Sequence, residues 1–400
     1  MISVKDAFET ILNHVPILPA ETCALGQAAN RTLRCPVSTD HELPPYDRIM
    51  MDGIAARSEA FIGGGQVRLK IIGHQPAGSF GKELANAGDC LEVATGAVLP
   101  LGADAIIPIE EISVSEGCAT VSETFRLIPG RYIHRKGSDR SEGELLLSEG
   151  IRLGAKEIAV AASCGRSELQ VAACPSVAII STGDELVDID KVPMPHQIRR
   201  SNSHSLSAAL ESSGLGLPHL AHFADDAKEV RDGLSHFLQT AQVLTLCGGV
   251  SKGKLDYLPQ ALESLGVVKR FHWVAQRPGK PFWFGTGPAG QPVFALPGNP
   301  LSALTCFHRY VVPSLEKMAG RNRRLTMELP LQEPYSFKPP LTNFLPVQIQ
   351  NGITGPEAKP HPAGNSGDFA GILGTDGFVE LPADETEFDG GFVVPFWPWL

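Results

Sequence analysis

The 400-residue sequence has no cysteine pair spaced CxxC and no uninterrupted apolar run near the ~20 residues that a bilayer span requires. It has no surplus of positive charge either: 34 Lys and Arg stand against 44 Asp and Glu, a formal net charge of −10. A general nucleic-acid binder is normally basic, so the charge argues against that class, and any anion site must be local. Eight cysteines scattered over so long a chain read as reduced, partly buried thiols rather than a disulfide framework or a zinc site. Neither GxxxxGK[ST] nor a helix-opening GxGxxG occurs, which argues against nucleotide hydrolysis by the P-loop route. The N-terminus is not a signal peptide. Val4, Ala7, Phe8, Ile11 and Leu12 keep helical spacing, with Ser3 as cap and Asp6 in the first turn, so no membrane segment is expected and the cytoplasm is the default.

What is abundant is glycine and proline, 41 and 32 residues, which predicts many tight loops and substantial β structure. Four hundred residues exceed one ordinary core, and the texture changes along the chain. Residues 1–43 and 128–171 bear helices and form an N-terminal linker or helical domain. Residues 44–127, with QVRLKIIG, DCLEVATG, ADAIIPIEE and CATVSETFRL, form an inserted β-rich domain. Residues 172–322 alternate strand and helix, which predicts a mostly parallel sheet with right-handed crossovers. Residues 323–400 are Pro-rich and strand-like, a small C-terminal β-domain. The fold class is therefore multidomain, α/β plus β.

Three strand ends in the α/β segment carry polar or glycine-rich loops. They are Ser181-Thr182-Gly183-Asp184-Glu185, the stretch CGGVSKGKLD over 247–256, and Leu296-Pro297-Gly298-Asn299-Pro300. Parallel strands point one way, so all three loops belong on one rim, where such sheets bind ligands. Gly248, Gly249 and Gly253 permit amide N–H groups to face an anion, Ser251 can donate, and Lys252 and Lys254 can neutralise charge. Asn299 stands where a helix N-cap belongs and Pro300 at N1, leaving free N–H groups as another anion seat; a well-made helix start is the bland alternative. Arg277 can grip an oxyanion and Lys280 can serve as a point charge, unless the segment is a solvated hairpin edge. Asp184, Glu185, Asp225, Asp226 and Asp256 are oxygen donors suited to Mg2+, though acidic residues also favour a helix's first turn, where Asp225 and Asp226 sit.

STGDEL, CGGVSKGKLDY, RPGKPFWFG and LPGNPLSA, in this order, resemble the MoeA proteins and the C-terminal domain of gephyrin. Upstream, PPYDRIMMDGIAAR (44–57), EVATGAVLPLGADAIIPIEE (92–111) and HRKGSD (134–139) resemble further segments of the same family. The resemblance spans nearly the whole chain and implies a four-domain molybdopterin molybdenumtransferase whose α/β domain binds molybdopterin. It implies insertion of molybdate into adenylylated molybdopterin, with Mg2+-dependent release of AMP. It also implies a homodimer and an upstream molybdopterin adenylyltransferase-type protein. Carried over by motif, Asp52, Glu185, Asp225 and Asp256 are the expected catalytic residues, the last three as Mg2+ ligands. Thr95, Asp139, Ser181, Thr182, Gly183, Gly248, Gly249, Ser251, Lys252, Gly253, Lys254, Arg277, Lys280, Pro297, Gly298, Asn299 and Pro300 are the expected substrate-binding residues.

The sequence departs from the family pattern at Arg48-Ile49, where Asn-Ser is usual, at Ile54 for tyrosine, and at Trp273, where many members carry lysine. Lys252 and Lys254 are gained, and one of them is expected to compensate for Trp273. The departures leave molybdate and tungstate open as the oxyanion. Two alternatives are a non-catalytic pterin-binding scaffold of the same fold and a molybdopterin adenylyltransferase. The retained Asp52, Glu185, Asp225 and Asp256 argue against the first, and the long N-terminal segments and terminal β-domain against the second.

Overall fold

The structure is a computed structural model that describes residues 1–249, 258–322, 325–353 and 355–399. The chain divides into two compact units: Met1–Cys35, Glu149–Ile158 and Ser167–Leu400 form one, and Pro36–Ser148 with Ala159–Arg166 the other. The helix Ala155–Ser163 is shared between them.

The first unit opens with the helix Val4–His14, and Ser3 Oγ accepts the Asp6 N–H at 3.0 Å, the cap expected from the sequence. Its α/β sheet has six strands in the order Leu217–Phe223, Ser176–Thr182, Val243–Cys247, Pro292–Leu296, Trp283–Thr286, Val268–His272. The first four are mutually parallel. Trp283–Thr286 then runs antiparallel to both its neighbours, which strand–helix alternation does not reveal. Period-two alternation serves both faces of this buried sheet. Val177 and Ile179 join the core that includes Leu206, Leu210 and the N-terminal helix, while Ala178 and Ile180 join the core with Val230 and Leu234.

The helix Ser201–Ser213 begins at Ser201, and its cap position, Arg200, makes no side-chain capping bond. Asp226, by contrast, caps Ala227–Thr240 by accepting from Lys228 N and Glu229 N. The helix Pro300–Cys306 continues through a π-turn, Phe307–Val311, into Val312–Met318. Along it, His308 is buried with Nδ1 2.9 Å from Leu304 O, and desolvation pushes its pKa down to about 4.

The C-terminal sheet runs in the order Gln276–Arg277, Thr342–Asn351, Gly377–Leu381, Val393–Pro398, Met327–Pro330, with Pro356–Pro360 also paired to Thr342–Asn351. Gln276–Arg277 lies parallel to Thr342–Asn343, so this segment is an edge strand of the C-terminal sheet and not the solvated hairpin edge of the alternative reading.

The second unit is built on a six-stranded sheet in the order Ala105–Pro108, Gly53–Ala56, Asp89–Val93, Arg68–Gln75, Cys118–Val121, Ile112–Ser115. Ala55, Leu91 and Ile106 pack on one face, and Ile54, Cys90 and Ile107 on the other. All eight cysteines are free thiols. Among the described residues, no helix is long and apolar enough to cross a membrane.

Candidate functional site

Ser176–Thr182, Val243–Cys247 and Pro292–Leu296, the strands that lead into the three expected loops, are neighbours in the parallel part of the sheet, so their C-terminal ends share one rim. Strand order reverses beside Ser176–Thr182, placing Thr182 and Gly248 at the topological switch, where the backbone of such sheets opens to a ligand. Gly248 is the meeting point. Its N–H donates to Leu296 O at 3.1 Å, and a methyl group on it would lie 3.3 Å from Thr182 O. With φ at +100° and +68°, Gly248 and Gly249 hold a conformation that a side chain would strain. A methyl on Gly298 would in turn reach Gly248 Cα at 3.7 Å. Ser181 and Thr182 are buried as the last residues of their strand. Ser251, Lys252, Gly253, Lys254 and Asp256 lie outside the described residues.

Beside this rim the loops after Ser176–Thr182 and Leu217–Phe223 are tied together. Gly183 N donates to Phe223 O, His222 Nε2 lies 3.0 Å from Gly183 O, and Asp225 N donates to Asp184 Oδ1 at 3.0 Å. The Glu185 carboxylate lies against Gly183, since a methyl there would be 2.3 Å from its Oε2. Asp226 is spent on its helix cap, which leaves Glu185 and Asp225 as exposed oxygen donors. Among the described residues, no group of three or more His, Cys, Asp or Glu is arranged to hold a metal ion. Two carboxylates nevertheless fit Mg2+, which keeps several waters and takes further oxygens from substrate phosphates.

A cavity of ≈ 480 Å³ lies where the Arg277–Lys280 loop and the start of the Pro300 helix meet the C-terminal β-domain. Arg277, Lys280, Pro297, Asn299, Ser302, Asn343 and Ser366 line it, and its lining includes no carboxylate. Two cations and several neutral donors without an acid select an anion. Asn299 occupies the cap position of the Pro300–Cys306 helix but makes no capping bond; its Nδ2 donates to Ser366 Oγ at 2.6 Å. Leu301 N donates to Ser366 O at 3.2 Å, so this helix start is partly closed by the C-terminal domain instead of offering all its N–H groups. Gly298 O in turn accepts from Asn202 Nδ2 at 2.7 Å.

Beneath the loop, Gln276 is fully buried. Its Nε2 donates to Gly279 O at 3.1 Å and lies 3.3 Å from Cys306 Sγ, and its Oε1 accepts from Tyr310. Burial raises the Tyr310 phenol well above its ordinary pKa, which keeps it a donor, and pushes the Cys306 thiol up to about 12. Gln276, Tyr310, Asn343 and Ser366 were absent from the sequence-derived set. A buried-apolar neighbourhood around a lone Gln was the one available signal. Trp273, a departure from the family pattern, adopts φ +74° and stacks on His272.

Asp52, Thr95 and Asp139 belong to the second unit. Thr95 N donates to Asp52 Oδ1 at 2.7 Å, and this bond holds the Asp52 carboxyl below the usual carboxylate range. Gly53 has φ +152°, and a methyl there would lie 2.0 Å from Ile107 O, so the aspartate sits on a turn that only glycine continues. Asp139 Oδ1 is 2.7 Å from His134 Nε2.

The chain matches the family model for the MoeA N-terminal region (domains I and II) over residues 2–165. It matches the model described as a probable molybdopterin binding domain over 178–317, and the MoeA C-terminal region (domain IV) over 328–399. It is 37% identical over 404 residues to a molybdopterin molybdenumtransferase of Synechocystis sp., covering 100% of both chains. A Staphylococcus aureus protein of the same name is 29% identical over 398 residues, covering 98% of this chain and 94% of its own. Among solved structures, a molybdopterin biosynthesis MoeA protein from Pyrococcus horikoshii superposes with a TM-score of 0.81 at 30% identity, covering 100% of this chain and 99% of that one.

Proposed function

The chain belongs to the MoeA family, the molybdopterin molybdenumtransferases of molybdenum cofactor biosynthesis, and we propose that it inserts molybdate into adenylylated molybdopterin with release of AMP. The observation that carries the chemistry is the acid-free cavity with Arg277 and Lys280, which suits a tetrahedral oxyanion. Asn299, Ser302 and Ser366 add neutral hydrogen-bonding groups to it. The adjoining rim at Thr182, Gly248 and Gly298 suits the phosphate part of the pterin substrate, because its glycines let a ligand approach the backbone closely at the switch point. Glu185, Asp225 and Asp256 would hold Mg2+, which when bound neutralises phosphate charge and polarises the phosphoanhydride bond. Asp52, Thr95 and Asp139, all within the second unit, are proposed as further functional residues on the family pattern.

Three separate six-stranded sheets support division of the chain into an inserted β-domain, an α/β domain and a C-terminal β-domain, with the N-terminal helical part as a fourth. We infer a cytoplasmic homodimer on the family pattern, supplied with substrate by an adenylyl-transferring enzyme.

The test is to incubate the protein with adenylylated molybdopterin, molybdate and Mg2+, following AMP and active cofactor. AMP release that requires both molybdate and Mg2+ is expected. Binding without release would instead identify a scaffold, and product formed only from ATP and molybdopterin would identify an adenylyltransferase.

A further inference from the structure

We propose that Arg48 and His134 form a relay that fixes one tautomer of His134 and thereby positions the Asp139 carboxylate for substrate. The proposal rests on the assignment of Asp139 as a substrate-binding residue.

The relay is built into strand register. Ile133–His134 pairs antiparallel with Arg48–Ile49, and His134 stands directly opposite Arg48. Directly opposed residues of an antiparallel pair present their side chains together on one face. Arg48 Nη2 lies 3.0 Å from His134 Nδ1, and His134 Nε2 lies 2.7 Å from Asp139 Oδ1. A guanidinium has donors only, so Nδ1 must carry the lone pair and accept. The ring proton then resides on Nε2 and is donated to Asp139.

The loop between the two ends is pinned independently. Asp47 accepts from Lys136 N at 2.8 Å and from Arg135 Nη1 at 2.6 Å, while Asp139 N donates to Leu43 O at 2.9 Å. Burial opposes ionisation of Asp47, but the Lys136 and Arg135 bonds outweigh it and hold its carboxyl below the usual range. With backbone and Oδ1 both fixed, Asp139 Oδ2 is the oxygen left to a ligand. Asp139 lines an open cavity of ≈ 660 Å³ with Ser138, Arg140 and Ser163. Arg48 departs from the residue usual in the family pattern.

The test combines nitrogen-15 NMR of labelled histidine with steady-state kinetics on adenylylated molybdopterin. The expected spectrum shows His134 protonated at Nε2 and bare at Nδ1 near neutral pH. Removing a residue that orients a binding group commonly costs about tenfold or more, so His134→Ala and Arg48→Ala are expected to raise KM about tenfold with a smaller change in kcat. His134→Gln restores binding, because its amide oxygen accepts from Arg48 while its NH2 donates to Asp139. His134→Lys does not, because it offers donors only and places a second cation beside Arg48. A protonated Nδ1, or wild-type kinetics in His134→Lys, would overturn the relay. So would an unimpaired His134→Ala alongside an impaired Asp139→Asn. Wild-type kinetics in Asp139→Asn would overturn the assignment of Asp139 instead, and the spectrum would still report the tautomer.

Discussion

Asn299 Nδ2 and Ser366 Oγ are 2.6 Å apart, joining the α/β domain's last strand-end loop to the C-terminal β-domain across 67 residues. Both residues line the cavity that holds Arg277 and Lys280. The bond aligns two groups that the proposed oxyanion meets, and a neutral hydrogen bond contributes about 0.5–1.5 kcal/mol. Asn299→Ala and Ser366→Ala are therefore expected to raise KM for molybdate by about two- to tenfold, with less effect on kcat. Titrating molybdate at saturating adenylylated molybdopterin measures it. An unchanged KM in both variants would place the oxyanion elsewhere.

Gln276 and Tyr310 are coupled beneath the same loop, both with no exposed surface. Removing either partner leaves a buried polar group unpaired, which costs about 1–3 kcal/mol. Tyr310→Phe and Gln276→Met are each expected to lower stability by that amount. The double variant should be less damaged than the two losses added together, by about 1–2 kcal/mol, because both ends of the bond then leave at once. Urea unfolding of the four proteins closes the cycle. Strict additivity would show that the bond is not energetically coupled.

His308 makes stability depend on pH. Its folded pKa of about 4 lies below the ~6.5 of an unfolded histidine, and desolvation is the main cause. As pH falls, the unfolded chain takes up the proton first. The penalty is absent above about pH 6.5, grows between about 6.5 and 4, and is constant below. At pH 5 it amounts to roughly 2 kcal/mol relative to pH 7. Comparing wild type with His308→Leu by urea unfolding at both pH values isolates this group. An equal drop in the two proteins would contradict it.

Much of the fold was legible because local chemistry carried it. Ser3 and Asp6 marked the first helix, and alternation of apolar runs with helices marked the α/β segment. The direction of parallel strands then placed Thr182, Gly248 and Gly298 on one rim. The antiparallel Trp283–Thr286 strand was not legible, since a short apolar run carries no direction.

By itself, the sequence determined the family, through motifs spread along the whole chain, and the rim proposed for the pterin substrate, through glycine placement and strand polarity. Only the tertiary structure decided that Gln276–Arg277 pairs with Thr342–Asn343 and that Ser366 lines the same cavity as Arg277 and Lys280. It alone also set Arg48 opposite His134, 86 residues away. The physical reason is common to both. A two-residue strand has too few positions to show a period, and its partner is chosen by long-range register, which depends on how whole domains pack rather than on neighbouring residues.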